Sequence, residues 1–265
     1  MIELRHVVAG YGNKPVLRDV SIRCPPGKVT VLCGPNGCGK STALKVAARL
    51  LQPAAGEVWV GERRADAFGV RAYATQVAVL PQLRNSASLT AKSLVLHGRF
   101  PYLGYPRRYS ADDQRLARQA MERTGTWKFA AAPVSSLSGG ERQKVYLAMC
   151  LAQDTPILLL DEPTTYLDIS HQLALMRLVR ELAAEGRTVF MVLHDLNLAM
   201  TSADQMVVME DGMVRRMGTP EEIYEDGVIS RVFHVRAERV RTAAGAVQYL
   251  LTSGPDRGLS GGEKH

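Results

Sequence analysis

Apolar and polar positions along the chain alternate between two periods. Ile2 to Val8 and Val16 to Arg23 run at period two and predict strands, joined by a turn around Gly10, Gly12 and Asn13. After Pro25-Pro26-Gly27, Lys28 to Cys33 reads as a strand of the buried type. A glycine-rich turn follows, then a helical run through Ala43, Leu44, Val46, Ala47, Leu50 and Leu51. Short strands are predicted at Glu57 to Val60 and Gln76 to Leu80. From about residue 83 to 136 β character fades, Arg and Ala rise, and short helices surround a loop, GRFPYLGYPRRY. Beyond it lie a helix from about Gly139, a strand Ile157 to Leu160, a helix from Asp168 ended by Gly186, and a strand Thr188 to Leu193. A helix from Asp195, two strands around Asp211-Gly212 and a helix in TPEEIYED complete the pattern. Strands and helices that alternate in this way indicate an α/β domain.

Composition narrows the class. The chain has 265 residues, 46% hydrophobic and 22% charged, enough for a real core in one large or two small domains. Aromatic residues at 6% leave little for a tandem base-stacking surface. The longest apolar runs fall far short of the roughly 20 residues needed to span a bilayer, and MIELRHVV lacks the basic and then apolar start of a secretory signal. A cytoplasmic protein is therefore expected. Cys24, Cys33, Cys38 and Cys150 show no paired CxxC spacing, so free thiols are expected. The net charge of +7 suits either nucleic acid or a membrane surface. From about Ser253 the chain turns polar and Gly-rich, and residues 253–265 are expected to be a disordered tail.

GPNGCGKST, Gly34 to Thr42, matches G-x-x-x-x-G-K-[ST] between a buried strand and a helix. A random chain of this length would hit that pattern roughly once in a hundred times. Its glycines let backbone N–H groups turn toward phosphate, Lys40 reaches the β- and γ-phosphates, and Ser41 offers a hydroxyl to Mg²⁺. PILLLDEP supplies the carboxylates that such a loop needs. Asp161 stands on the metal side at the carboxyl end of a strand, and Glu162 can face an attacking water as general base. An isolated pair of acids would otherwise be a solvated strand end. Cys38, near a helix N-terminus, is expected to have a lowered thiol pKa and to react with thiol reagents unless a bound nucleotide protects it; a small residue filling a small space is the competing reading.

The other motifs resemble those of the ATP-binding cassette (ABC) ATPases. LSGGERQ, Leu137 to Gln143, is similar to their signature sequence, Gln82 in LPQ to their Q-loop, and Tyr11 to their adenine-stacking aromatic. Asp168 in TTYLD matches the D-loop and His194 in VLHD the switch histidine, all in the family's order from about residue 2 to 217. Each alone has a plainer reading: Ser138-x-x-Glu141 is a capping box, Gln82 an exposed polar residue, Tyr11 a turn aromatic, His194 a packed histidine. A second LSGGE at Leu259 to Glu263 has no room for a helix after it and reads as coincidence.

The resemblance implies a P-loop NTPase of the ABC type: a RecA-like core, an N-terminal antiparallel β subdomain and an inserted α-helical subdomain at about 83–153, all within a cassette spanning 1–252. It implies an ATP site of Tyr11, Gly34, Pro35, Asn36, Gly37, Cys38, Gly39, Lys40, Ser41 and Thr42. Glu162, His194, Gln82 and Lys40 take the catalytic roles, with Ser41, Gln82 and Asp161 around Mg²⁺. Ser138, Gly139, Gly140 and Glu141 act in trans, on ATP bound to a second copy of the chain, so a symmetric homodimer is expected. Arg99, Phe100, Tyr102, Tyr105, Arg107, Arg108 and Tyr109, with Arg115, Arg118, Arg123 and Lys128, would anchor a membrane permease. A solvated basic face with tucked aromatics is the competing reading. VLHGRFPYLG and TTYLDISHQ resemble the motors of iron-siderophore, haem and cobalamin importers, in that order of preference. The expected place is the cytoplasmic face of the membrane, with a substrate-binding protein as an indirect partner and no nucleic acid. A soluble non-transport ABC protein would carry two cassettes or a coiled-coil insertion, and a P-loop kinase or GTPase would have no use for the signature. Residues after about Val228, with Arg231, Arg236, Arg239 and Arg241, could pack on the core as a β extension or contact the second copy.

Overall fold

A computed structural model describes residues 1–12, 14–80, 89–243, 245 and 247–253. β1 (Ile2–Tyr11) and β2 (Lys14–Cys24) pair antiparallel, and their ladder runs on to Tyr11↔Lys14, so both strands outreach their predicted spans. β3 (Val29–Cys33) leads through the glycine-rich turn into α1 (Lys40–Ala47), and β4 (Ala55–Val60) and β5 (Arg63–Arg64) return to give a sheet of order β2-β1-β4-β5. α1 stops short of the predicted Leu50 and Leu51. Arg49 takes a left-handed φ of 57°, and Leu50 is exposed.

The chain then forms α2 (Val70–Ala74) and β6 (Val77–Leu80). The helical segment follows with α3 (Ala91–His97), α4 (Ala111–Arg123) and α5 (Gly139–Ala152). Thr90 caps α3, while Ser110 with Asp113 and Ser138 with Glu141 form capping boxes on α4 and α5, so each start is set by local chemistry. β7 (Ile157–Asp161), α6 (Ile169–Ala184), β8 (Thr188–Val192), α7 (Leu196–Ser202), β9 (Gln205–Glu210) and β10 (Met213–Gly218) complete the core.

The second sheet has the order β10-β9-β3-β8-β7-β6, parallel from β9 to β6. Both of its faces are covered, which explains its near-continuous apolar strands. Leu158, Leu160, Val189 and Met191 face the helices, while Ile157, Leu159, Phe190 and Val192 face the first sheet and α1. The order places the carboxyl ends of β3, β8 and β7 side by side, where open α/β sheets present their ligand sites.

The C-terminal segment packs on the core. α8 (Pro220–Asp226) and α9 (Val228–Phe233) lead to the hairpin β11 (Val235–Arg241) and β12 (Val247–Ser253). Tyr249 is buried with its ring 5.3 Å from that of Tyr224, and Arg239 pairs with Glu221 at 2.5 Å. The region thus packs on the core as a β extension. The tail at 254–265, with its second LSGGE, lies outside the described residues.

The basic, aromatic stretch divides between the two readings. Arg99 is no surface anchor: it is buried, donates from Nε to Asp113 at 2.9 Å and from a terminal nitrogen to the Ala152 carbonyl at 3.1 Å, and lies 3.9 Å from the Tyr102 ring centre. A guanidinium has enough donors for carboxylate and carbonyls together, so its burial is compensated. Arg115, Arg118 and Arg123 pair with Asp112, Glu122 and Glu185. Phe100, Tyr102 and Tyr105 do remain exposed, Tyr105 almost completely.

Candidate functional site

The phosphate loop joins β3 to α1 and closes on itself. Lys40 is buried and its ammonium donates to the carbonyls of Gly34 and Pro35 at 2.8 and 2.9 Å. At Gly34 a Cβ would stand 2.2 Å from the Met209 carbonyl oxygen, so only glycine lets the loop run this close to β9. The Gly212 amide donates to the Cys38 carbonyl at 3.1 Å and fixes the loop's outer side.

The acids arrive from β7. The Ser41 hydroxyl donates to Asp161 Oδ1 at 3.0 Å, which joins the start of α1 to the end of β7. Asp161 is buried, and burial first, then the neighbouring Glu162, pushes its pKa above the ordinary carboxylate value, against the Ser41 bond. β8 lies between β3 and β7, with Val192 level with both Leu32 and Asp161. The next residues therefore bring His194 Nε2 to 2.5 Å from Glu162 Oε1. Such a bond needs one proton between the two groups. Glu162 holds a φ of 51°, unusual for a non-glycine residue and frequent at functional sites.

Tyr11, Asn36, Gly37, Gly39, Lys40, Ser41, Thr42, Glu162 and His194 line one open cleft of about 780 Å³. Tyr11 stands at its mouth, half-exposed, with its hydroxyl 3.2 Å from the Lys45 ammonium. Val16 also lines the cleft; nothing in its strand pattern signalled this. Cys38 lies on the other side of the loop, beside a second hollow lined by Asp211, Phe233 and His234. Burial pushes its thiol pKa up, opposite to the lowering expected from the helix N-terminus. Burial drives Cys24, Cys33 and Cys150 to about 12 each, and all four cysteines are free.

Ser138, Gly139, Gly140 and Glu141 form the N-terminus of α5 and contribute nothing to the lining of that cleft. Gln143, quoted in the signature but given no role from sequence, is buried and donates to the Pro163 carbonyl at 3.3 Å, which ties α5 to the loop after the acids. Asp168 caps α6, accepting from the His171 amide at 2.9 Å, and its bonds to His171 and Ser170 lower its pKa to about 2. Gln82 lies outside the described residues.

A phosphate loop at the end of β3 and two acids at the end of the nearby β7 define a P-loop nucleotide-binding protein. Comparison with known proteins makes the class more specific. Residues 17–165 match the ABC transporter family. The achromobactin transport ATP-binding protein CbrD of Dickeya dadantii is 43% identical over 236 residues, covering 88% of each chain. The iron(3+)-hydroxamate import ATP-binding protein FhuC of Bacillus subtilis is 42% identical over 233 residues, 87% of each chain. Among solved structures, the dimeric bacterial ABC transporter cassette MJ0796 superposes with a TM-score of 0.75 at 29% identity, over 83% of this chain and 99% of that one. The chain belongs to the ABC transporter family and is an ABC-type ATPase.

Proposed function

We propose that this chain is the ATP-hydrolysing subunit of an importer of iron chelates, ferric siderophores before haem. The observation that carries the reading is a cleft that assembles phosphate loop, Glu162 and His194, with Asp161 tied to it through Ser41, while the signature helix of the same chain stands apart from it. A second copy, bound head to tail, would supply the signature from outside. Helix N-termini would then meet the triphosphate from both sides. The cargo class rests on the relatives that act on achromobactin and iron(3+)-hydroxamates.

In this reading Lys40 leaves the Gly34 and Pro35 carbonyls for the β- and γ-phosphates, and Tyr11 stacks on the adenine. Mg²⁺ fits the Ser41–Asp161 pair: both are hard oxygen donors, and a divalent cation would relieve the cost of ionising a buried carboxyl next to Glu162. Bound there, it would neutralise phosphate charge as the γ-phosphate leaves. Glu162 takes a proton from the attacking water, and His194 holds that carboxylate in place. No helix among the described residues is long and apolar enough to cross a membrane. Transport would therefore need separate permease subunits, reached from the cytoplasmic face through the exposed Phe100, Tyr102 and Tyr105, with a substrate-binding protein beyond them.

Co-expression with a candidate permease, copurification and reconstitution in vesicles test the whole reading. Ferric siderophore with its binding protein should stimulate ATP hydrolysis and drive labelled iron inward, and Lys40→Ala should abolish both. Uptake that persists with Lys40→Ala would overturn it; stimulation by haem alone would move the cargo to the second choice.

A further inference from the structure

The loop between Glu162 and α6 holds a bulky residue in a conformation that bulky residues avoid. Tyr166 has a φ of 66°, and its side chain is largely exposed, 71% for the residue. Core burial is therefore not what keeps it there. Its inner side lies on the first turn of α5. A Cβ added to Gly139 would meet Tyr166 Cβ and Cγ at 3.3 Å and Cδ1 at 3.6 Å, and one added to Gly140 would meet the Tyr166 carbonyl oxygen at 2.9 Å and Leu167 Cδ2 at 3.3 Å. The two signature glycines thus fit closely against this loop, and a side chain at Gly140 would force the Tyr166 backbone to shift.

The loop is held at several points. The Thr165 amide donates to the Glu162 carbonyl and the Leu167 amide to that of Thr164, each at 3.2 Å. Gln143 and Gln172 hold the carbonyls of Pro163 and Leu167 at 3.3 and 3.1 Å, and Asp168 caps the helix that follows. A seat with this many ties can set the direction of whatever rests on it.

We infer that Tyr166 is a positioning residue for the signature: its ring and backbone seat Gly139 and Gly140 and so aim the first turn of α5. The inference rests on the dimer reading above, in which that turn faces the nucleotide of a second copy. The contact runs through the ring edge and not the hydroxyl, so Tyr166→Phe should preserve it. Tyr166→Gly removes the ring from beneath Gly139 and leaves only the backbone carbonyl at Gly140, while suiting the positive φ better than tyrosine does.

The two variants separate aim from stability. Tyr166→Gly should keep its melting temperature and its affinity for a fluorescent ATP analogue measured without Mg²⁺, since the chain's own phosphate loop is untouched. Its kcat should fall about tenfold to a hundredfold, the scale on which misplacing a reacting group by about 1 Å acts. In a Glu162→Gln background, ATP should assemble less dimer when Tyr166→Gly is added. Tyr166→Phe should match the parent protein throughout. Normal kcat in Tyr166→Gly, a melting temperature that falls with activity, or an equal loss in Tyr166→Phe would each overturn the assignment. If Glu162→Gln alone forms no dimer with ATP, the dimer reading fails and this inference with it; if that dimer forms and Tyr166→Gly leaves it unchanged, only the inference fails.

Discussion

Replacing Arg99 with Met removes the cation from the middle of the helical segment and keeps most of its volume. Asp113 then stays buried without its guanidinium, although the Ser110 amide and hydroxyl still donate to its Oδ2 at 2.9 and 2.8 Å. The carbonyls of Ala152 and Gln153 at the end of α5 lose their donors at 3.1 and 3.3 Å. Breaking a buried pair costs about 3–5 kcal/mol; the remaining Ser110 bonds favour the lower part of that range, so we expect about 3–4 kcal/mol. For a chain of this size that is a fall in melting temperature of about 5–7 °C. Arg99→Met with Asp113→Asn should recover part of the loss, because an amide is cheaper to bury than an unpaired carboxylate.

The pH dependence carries its own sign. Burial raises the Asp113 pKa, but Arg99 and Ser110 outweigh it and hold the carboxyl below its ordinary value. A depressed carboxyl stabilises the fold above its unfolded pKa of about 3.9, and that contribution is lost as pH falls through the lower folded value. The gap between wild type and Arg99→Met should be constant near neutrality and close below about pH 4. Thermal and urea unfolding across that range measure it. A loss under about 1 kcal/mol at neutral pH would show that Arg99 is not the buried tie described here.

Glu162→Gln keeps the shape of the cleft and removes the base, so phosphate release should fall by about 10²–10⁴ while ATP still binds; turnover near wild type would move the base elsewhere. Tyr11→Ala should raise KM for ATP about tenfold with little change in kcat, and Tyr11→Phe should not, if the ring stacks on adenine. Cys38, buried with a raised pKa, should resist iodoacetamide at neutral pH and label only as pH passes the ordinary thiol range. Fast labelling at pH 7 that ATP prevents would restore the reading made from sequence. Cys38→Ala should keep its ATPase activity, measured by the same phosphate assay.

Much of this protein is written locally. Alternating strands and helices follow from hydrophobic period, and the starts of α5 and α6 from capping residues at Ser138 and Asp168, because these choices are decided within a few residues. The phosphate loop and the acids at Asp161 and Glu162 are legible for the same reason: glycine, lysine and carboxylate must stand at set offsets from a strand end. Sequence alone could not place His194 on Glu162, 32 residues away, because that contact depends on β8 lying between β3 and β7 and on its register. Nor could it show that Arg99 is buried by Asp113, that Cys38 lies on the far side of the phosphate loop, or that Tyr166 seats the signature glycines. Period and motif report a residue's neighbours along the chain. Whether a charge is buried or a thiol reactive depends on partners that only the packing of sheets and helices brings within reach.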